Sequence, residues 1–290
     1  MKIILGLLTF VSLSLCAASA VEKTATGVKL ERDGKVLWNL EIDTPEGRPF
    51  FHPLCLPSGR QFTDCRPKDH IWHLGWWFSW KYINKVNYWE PADEKRKGVA
   101  PAGETRLVKQ AVKPAGAGCE VKLELAYGPR GFTSALLVEK RNVEIVPPDA
   151  QGGYVITVHH EFTAAEDCVF DRTPPHGSVA SGKWGGGYAG PTLRLTADVA
   201  KAFSRVIGSA GGGSSAEVTG VETKMVELSD PESGEGVVFT QLEGTPESRF
   251  YVWPDRRFTN ASPVYTDPVT LRKGEVLRLA YRLEVHGKRK

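Results

Sequence analysis

The run that leads into the C-terminal Gly287-Lys288-Arg289-Lys290 tail constrains the fold most. From Val276 to His286 the side chains alternate without a slip: Leu277, Leu279, Tyr281, Leu283 and Val285 fall on one side, and Arg278, Ala280, Arg282, Glu284 and His286 on the other. A two-residue period places successive side chains on opposite faces of a strand. A strand of this length with one apolar face belongs in an antiparallel sheet whose other face meets solvent or a ligand. Similar runs recur between Gly and Pro clusters: Thr105 to Lys113, Glu120 to Tyr127, Ser134 to Ile145, Tyr154 to Phe162, Val221 to Leu228 and Gly236 to Leu242. Gly27 to Ile42 predicts a hairpin about Asp33-Gly34, two residues that tolerate positive φ. Only Ala197 to Ser204 reads as a short helix. The expectation is an all-β chain, a large antiparallel β-sandwich or supersandwich forming one domain over residues 21–290.

Residues 1–20 stand apart. Lys2, an apolar run from Ile3 to Cys16 and the exit Ala17-Ala18-Ser19-Ala20 predict a secretory signal peptide cleaved after Ala20. Leu15 is too bulky to precede a lipidated Cys16. No later segment reaches the ~20 apolar residues of a membrane span, so the mature chain is expected to be periplasmic or extracellular, with no membrane span. Lys and Arg number 37 against 34 Asp and Glu, with no basic run beyond the C-terminal tail, and nothing here predicts a nucleic-acid partner. Cys55 and Cys65 flank a Pro57-Ser58-Gly59 turn and are the expected disulfide pair in an oxidising compartment, buried free thiols being the alternative.

The chemistry concentrates between Arg48 and Glu90. This window holds His52, His70 and His73 of the seven histidines, and Trp72, Trp76, Trp77, Trp80 and Trp89 of the eight tryptophans. Within it, Gly75 to Ile83 reads as a strand with Trp76, Phe78 and Trp80 on one face and Trp77, Ser79 and Lys81 on the other. A second long Gly- and Pro-rich segment, Arg172 to Gly190, carries Trp184 and Tyr188 and reads as a functional loop.

Two motifs in the window, Arg48-Pro49-Phe50-Phe51-His52-Pro53-Leu54 through Pro57-Ser58-Gly59-Arg60 and Asp69-His70-x-Trp72-His73-x-Gly75-x-Trp77-Phe78-Ser79-Trp80, resemble an exported bacterial family of unknown function labelled methane oxygenase PmoA-like. Gly186-Gly187-Tyr188 to Leu193-Arg194-Leu195 and Tyr281-Arg282 to Val285-His286-Gly287 agree with it as well. The label is not an activity here, because a membrane oxygenase subunit needs spanning helices. The resemblance implies a β-supersandwich similar to galactose mutarotase and a carbohydrate-related role. No mutarotase catalytic motif is matched, and Gly244-Thr245-Pro246 stands where relatives are expected to carry His-Pro followed by Asn.

Imidazole titrates near neutrality, so His70 and His73 are the candidate catalytic pair, moving a proton on a sugar hydroxyl or ring carbon with Asp69 or Asp64 as orienting group. Trp72 and Trp76, with Trp80, are candidate stacking platforms, and His52, Arg194, Arg282 and His286 candidate ligand-gripping groups. The competing readings are histidines hydrogen-bonded in an aromatic core, tryptophans as core filler and Arg282 in a surface ion pair. His160 lies on an apolar face and reads as a core histidine, while His176 is left unassigned. A zinc-type set of His52, His70 and His73 with Glu90 or Asp64 lacks compact metal-ligand spacing, and no cofactor is assigned. The expected partner is a small molecule or oligosaccharide. The function expected is a sugar-modifying enzyme (epimerase, lyase or hydrolase), the alternatives being a non-catalytic carbohydrate-binding protein or a metal-dependent enzyme.

Overall fold

The computed structural model describes residues 20–90, 101–178, 181–244 and 246–289. The signal-peptide reading and Thr245 lie outside them. Within them the chain is an all-β sandwich. Two eight-stranded sheets carry the fold, and every strand pairing in them is antiparallel.

The first sheet runs in the order Val21–Lys23, Gly27–Arg32, Lys35–Glu41, Phe50–Leu54, Trp76–Ser79, Gly190–Arg194, Phe258–Ser262, Arg249–Val252. The second runs Arg205–Gly208, Met225–Ser229, Gly236–Gln241, Val276–His286, Tyr154–Ala164, Leu137–Val146, Gly118–Pro129, Gly103–Ala115. The expected hairpin forms with Asp33 at φ 52° and Gly34 at φ 73°. The long alternating strand pairs with Tyr154–Ala164 on one side and Gly236–Gln241 on the other. Ala197–Ala202 is helical as expected, and a single further turn forms at Ser215–Val218.

The inward faces of the two sheets meet in one apolar core. Phe78 lies 5.3 Å from Phe162, and Trp76 sets its ring edge-on to Phe239 at 6.1 Å. Burying each such ring stabilises by about 1.5–3 kcal/mol. This core also encloses an ionic network: Glu139, fully buried, accepts from Arg141 Nε at 2.6 Å and pairs with His160 Nδ1 at 2.7 Å, with the Tyr127 hydroxyl as a further partner. Every charge there is matched, which is what makes its burial tolerable. His160 is thus a hydrogen-bonded core histidine, as its position on an apolar face suggests.

Two expectations are corrected by this architecture. The Gly75 to Ile83 run is not one strand: Trp76–Ser79 belongs to the first sheet, while Tyr82–Ile83 joins a separate four-stranded sheet that packs on it through Trp80 and Phe170, 4.2 Å apart. Cys55 and Cys65 are both free thiols. Cys55 pairs with Gln61 and sits in the inter-sheet core, whereas Cys65 pairs with Leu74 and packs on the outer side of the first sheet, so the two sulfurs serve opposite faces. Cys119 and Cys168 are free as well.

Candidate functional site

A strand in the middle of a sheet has two faces, and in the first sheet both are covered. On the outer face Phe50, Leu74, Trp77, Trp89, Tyr251 and Phe258 form a second buried cluster, with Trp72, Trp184 and Tyr188 partly buried against it. Strands supply its floor and three loops its walls. A cavity of about 330 Å³ opens there, lined by Asp69, His70, Trp72, His73 and Arg194 on one side, Trp89, Glu90, His176 and Tyr188 on another, and Tyr251 to Phe258 on the third. A larger hollow of about 700 Å³ lies over the second sheet, but no Trp, Tyr or Phe lines it and half of its lining residues are charged, among them Lys122, Glu124, Lys140 and Arg278. Aromatic walls with a few convergent polar groups define a ligand site better than volume does.

The 65–75 loop is closed at its neck. Cys65 pairs with Leu74, and the Arg66 amide donates to His73 O at 2.7 Å. Inside that neck the His70 amide donates to Pro67 O and the His73 amide to His70 O, two successive turns that place the histidines one turn apart. Their rings consequently stack, 4.6 Å between centroids and 20° between planes. Gly75 ends the loop at φ 78°, and a Cβ there would fall 2.2 Å from Phe51 O, so glycine is required for the chain to re-enter the sheet.

His70 and His73 occupy different environments. His73 is 4% exposed and packed between Trp77 and Phe258, each 5.2 Å away. Burial, helped by the charges of His70 and Arg194, lowers its pKa to about 2, so its ring is neutral at any working pH. Its Nδ1 has no partner. The His70 side chain is 43% exposed and stands 2.9 Å, through Nδ1, from Asp69 Oδ2. Asp69 also receives Arg194 Nη2 at 3.1 Å. Its partial burial alone would raise its pKa, but the His70 hydrogen bond and the Arg194 charge overcome this and hold it at about 2. Asp69 is therefore ionised, and His70 Nδ1–H is the donor to it.

The remaining walls are equally fixed. Arg48, buried, donates to the Trp89 carbonyl at 3.0 Å and pins that stretch of backbone, and the Trp89 ring lies 5.2 Å from Tyr188, tilted by 47°. Glu90 accepts from Lys81 Nζ at 2.6 Å and from Asn87 Nδ2 at 2.6 Å. Burial lowers the Lys81 pKa and the Glu90 charge works against that shift. The 172–190 loop folds into a small hairpin, His176–Ser178 with Lys183–Gly185, and the Tyr251 hydroxyl donates to Trp184 O at 3.1 Å. Asp255 accepts from Arg257 Nε at 2.7 Å.

Of the residues chosen from sequence, His70, His73, Trp72 and Arg194 line this cavity. Trp76 does not: it lies 3% exposed in the inter-sheet core, because it is Trp77, one residue on, that the pleat turns outward. Trp80 is likewise core. His52 is absent from the cavity wall, and its Nδ1 lies 3.1 Å from Thr63 Oγ1. Arg282 is exposed on the second sheet, between Thr157 and Thr240, and His286 is buried on the same strand with Nδ1 against Gly287 O at 2.8 Å. Both belong to the sheet that does not carry the cavity. Among the described residues no group of three or more His, Cys, Asp or Glu side chains is placed to hold a metal ion, so His52, His70 and His73 do not converge as ligands.

Trp89, Tyr188, Tyr251, Trp253, Asp255, Arg257 and Phe258 also line the cavity and were not assigned to a site from sequence. A signal existed for the last five: Phe250 to Phe258 packs four aromatics and three charges into nine residues. His176, unassigned from sequence, also lines the wall.

Fold and site together define an all-β sandwich with an aromatic, ion-paired cavity on the outer face of one sheet. The chain belongs to a family of unknown function, DUF6807, whose model matches residues 27–290. That match carries the unknown-function part of the resemblance drawn from the Arg48–Trp80 motifs, and not its methane oxygenase label. No curated protein matches the chain. No helix among the described residues is long and apolar enough to cross a membrane.

Proposed function

We propose that this chain is an exported carbohydrate-active enzyme in which His70 moves a proton on a sugar held in the outer-face cavity. One observation carries the reading: Asp69 is shared between His70 Nδ1 at 2.9 Å and Arg194 Nη2 at 3.1 Å, at the wall of a cavity of about 330 Å³. An ionised carboxylate that orients an imidazole and fixes its tautomer is the arrangement general acid–base catalysis needs. Trp72 and Tyr188, both only partly buried, offer an indole and a phenol face to the apolar faces of a sugar ring.

The geometry favours proton transfer over standard glycoside hydrolysis. Hydrolases need a pair of carboxylates free to act as acid and base or nucleophile. Here Asp69, Glu90 and Asp255 are each engaged by a cation, Arg194, Lys81 and Arg257 respectively. An epimerase or lyase step, in which one group takes a proton from a ring carbon and returns it or lets a leaving group depart, fits better. A supersandwich similar to galactose mutarotase is part of the same proposal, as is export through residues 1–20.

The test is incubation of the protein in D2O with a panel of sugars, followed by proton NMR. The expected result is exchange or conversion at one carbon by the parent, abolished in His70→Ala. A parent that binds sugars yet leaves all of them unchanged would make the protein a lectin, and a parent that binds none would remove the carbohydrate reading altogether.

A further inference from the structure

Among the described residues Trp253 is the one exposed aromatic side chain, 42% accessible, and it stands in the cavity wall. Its position is not that of a loosely held surface residue. It follows the strand Arg249–Val252, its amide donates to Phe258 O at 2.8 Å, and its carbonyl accepts from the Arg256 amide at 2.7 Å across a tight turn with Arg256 at φ 62°. Its ring packs 5.9 Å from Tyr251, whose own ring belongs to the cavity floor. An indole held in water by a rigid turn, continuous with an aromatic floor, contributes little to folding and is suited to receive a ligand.

The electrostatics of the cavity point to what that ligand is. Its three carboxylates are matched one for one: Asp69 with Arg194, Glu90 with Lys81, and Asp255 with Arg257 at 2.7 Å. No unmatched charge remains among these groups to attract an ionic sugar. Hydrogen-bonding groups on stiff mounts and aromatic faces remain, the combination that suits hydroxyls and ring C–H faces.

Resting on the carbohydrate reading above, we propose that the ligand is a neutral oligosaccharide of at least two units, one seated deep in the cavity by His70 and Arg194 and the next stacked on Trp253 at the cavity rim. Trp253 is then a specificity residue for chain length and not a part of the proton-transfer machinery.

The experiment is calorimetric titration of the full chain and of Trp253→Ala and Trp253→Phe with gluco-, galacto-, manno- and xylo-oligosaccharides of one to four units, and with oligogalacturonates. The parent is expected to bind one neutral series, gaining about tenfold or more from one unit to two. Trp253→Ala should lose that gain while keeping the affinity for the single unit, and Trp253→Phe should restore most of it. Equal affinity of the parent for one and two units, or equal loss of both in Trp253→Ala, overturns the chain-length assignment while leaving the sugar site standing. Preference for oligogalacturonate overturns neutrality. A parent that binds none of the panel overturns both this assignment and the reading beneath it. Trp253 is exposed, so an unchanged melting temperature in both variants serves as the folding control.

Discussion

Arg194 Nη2 stands 3.1 Å from Asp69 Oδ2, although the two residues are 125 positions apart in the chain. This contact ties the closed 65–75 loop to a central strand of the first sheet. Removing it should loosen the loop more than the fold. Asp69 is half exposed, so the charge pair itself contributes little to stability, and Arg194→Met is expected to lower the melting temperature by only about 2–4 °C, roughly 1 kcal/mol for a domain of this size. Hydrogen exchange should show amides 66–73 opening faster in the variant. Unchanged exchange there would mean the neck bonds alone hold the loop.

The stacked histidines should part company on truncation. His73 lies between Trp77 and Phe258 with almost no exposure, so His73→Ala leaves a cavity and should cost about 2–4 kcal/mol. His70 is nearly half exposed, and His70→Ala should melt within about 3 °C of the parent while losing sugar turnover. Calorimetric melting of the two variants side by side decides this. Equal melting would place both rings on the surface.

Stability should fall on mild acidification. Burial lowers the pKa of His52, of His73 to about 2, and of His160, while the unfolded chain titrates near 6.5. With the folded value depressed, the unfolded state binds protons first as pH drops. The stability these neutral rings give is complete above about 6.5 and is lost progressively below it, by up to about 1.4 kcal/mol per pH unit for each ring. Asp69, at about 2 against 3.8, joins only below about pH 4. Urea unfolding at pH 7, 6 and 5 should show the fall, and His73→Gln should show a shallower slope. A pH-independent midpoint over that range would contradict neutral burial of these rings.

The cysteines should resist both oxidation and labelling. Burial raises the thiol pKa of Cys65 and Cys168 to about 11 and pushes Cys55 and Cys119 upward as well, so little thiolate exists at neutral pH. Ellman titration of native protein should proceed slowly, and the same titration in denaturant should recover the thiols of Cys55, Cys65, Cys119 and Cys168. A peptide linking Cys55 to Cys65 in non-reducing digests would show that the two sheet faces can be bridged.

Much of this molecule was legible before any coordinates. Strand alternation, the Asp33-Gly34 turn and the absence of long helical patterns determined an all-β sandwich, because a two-residue period and positive-φ turns are local properties of the chain. The density of His and Trp between Arg48 and Glu90 located one wall of the candidate site for a similar reason: the closed loop that stacks His70 on His73 is local.

What only the tertiary structure decided was which face of each strand does what. Trp76 and Trp77 are indistinguishable by type, and the sheet's packing alone sends the first into the inter-sheet core and the second to the aromatic cluster on the outer face. The long C-terminal strand placed Arg282 outward, as its alternation requires, but on the other sheet, and buried His286 there. Arg194 reaches Asp69, and Trp253 the cavity rim, only because antiparallel pairing sets Gly190–Arg194 between Trp76–Ser79 and Phe258–Ser262. Periodicity records the face a side chain takes on its own strand. It holds no record of which strands will be neighbours, since that is settled by burial summed over the whole chain.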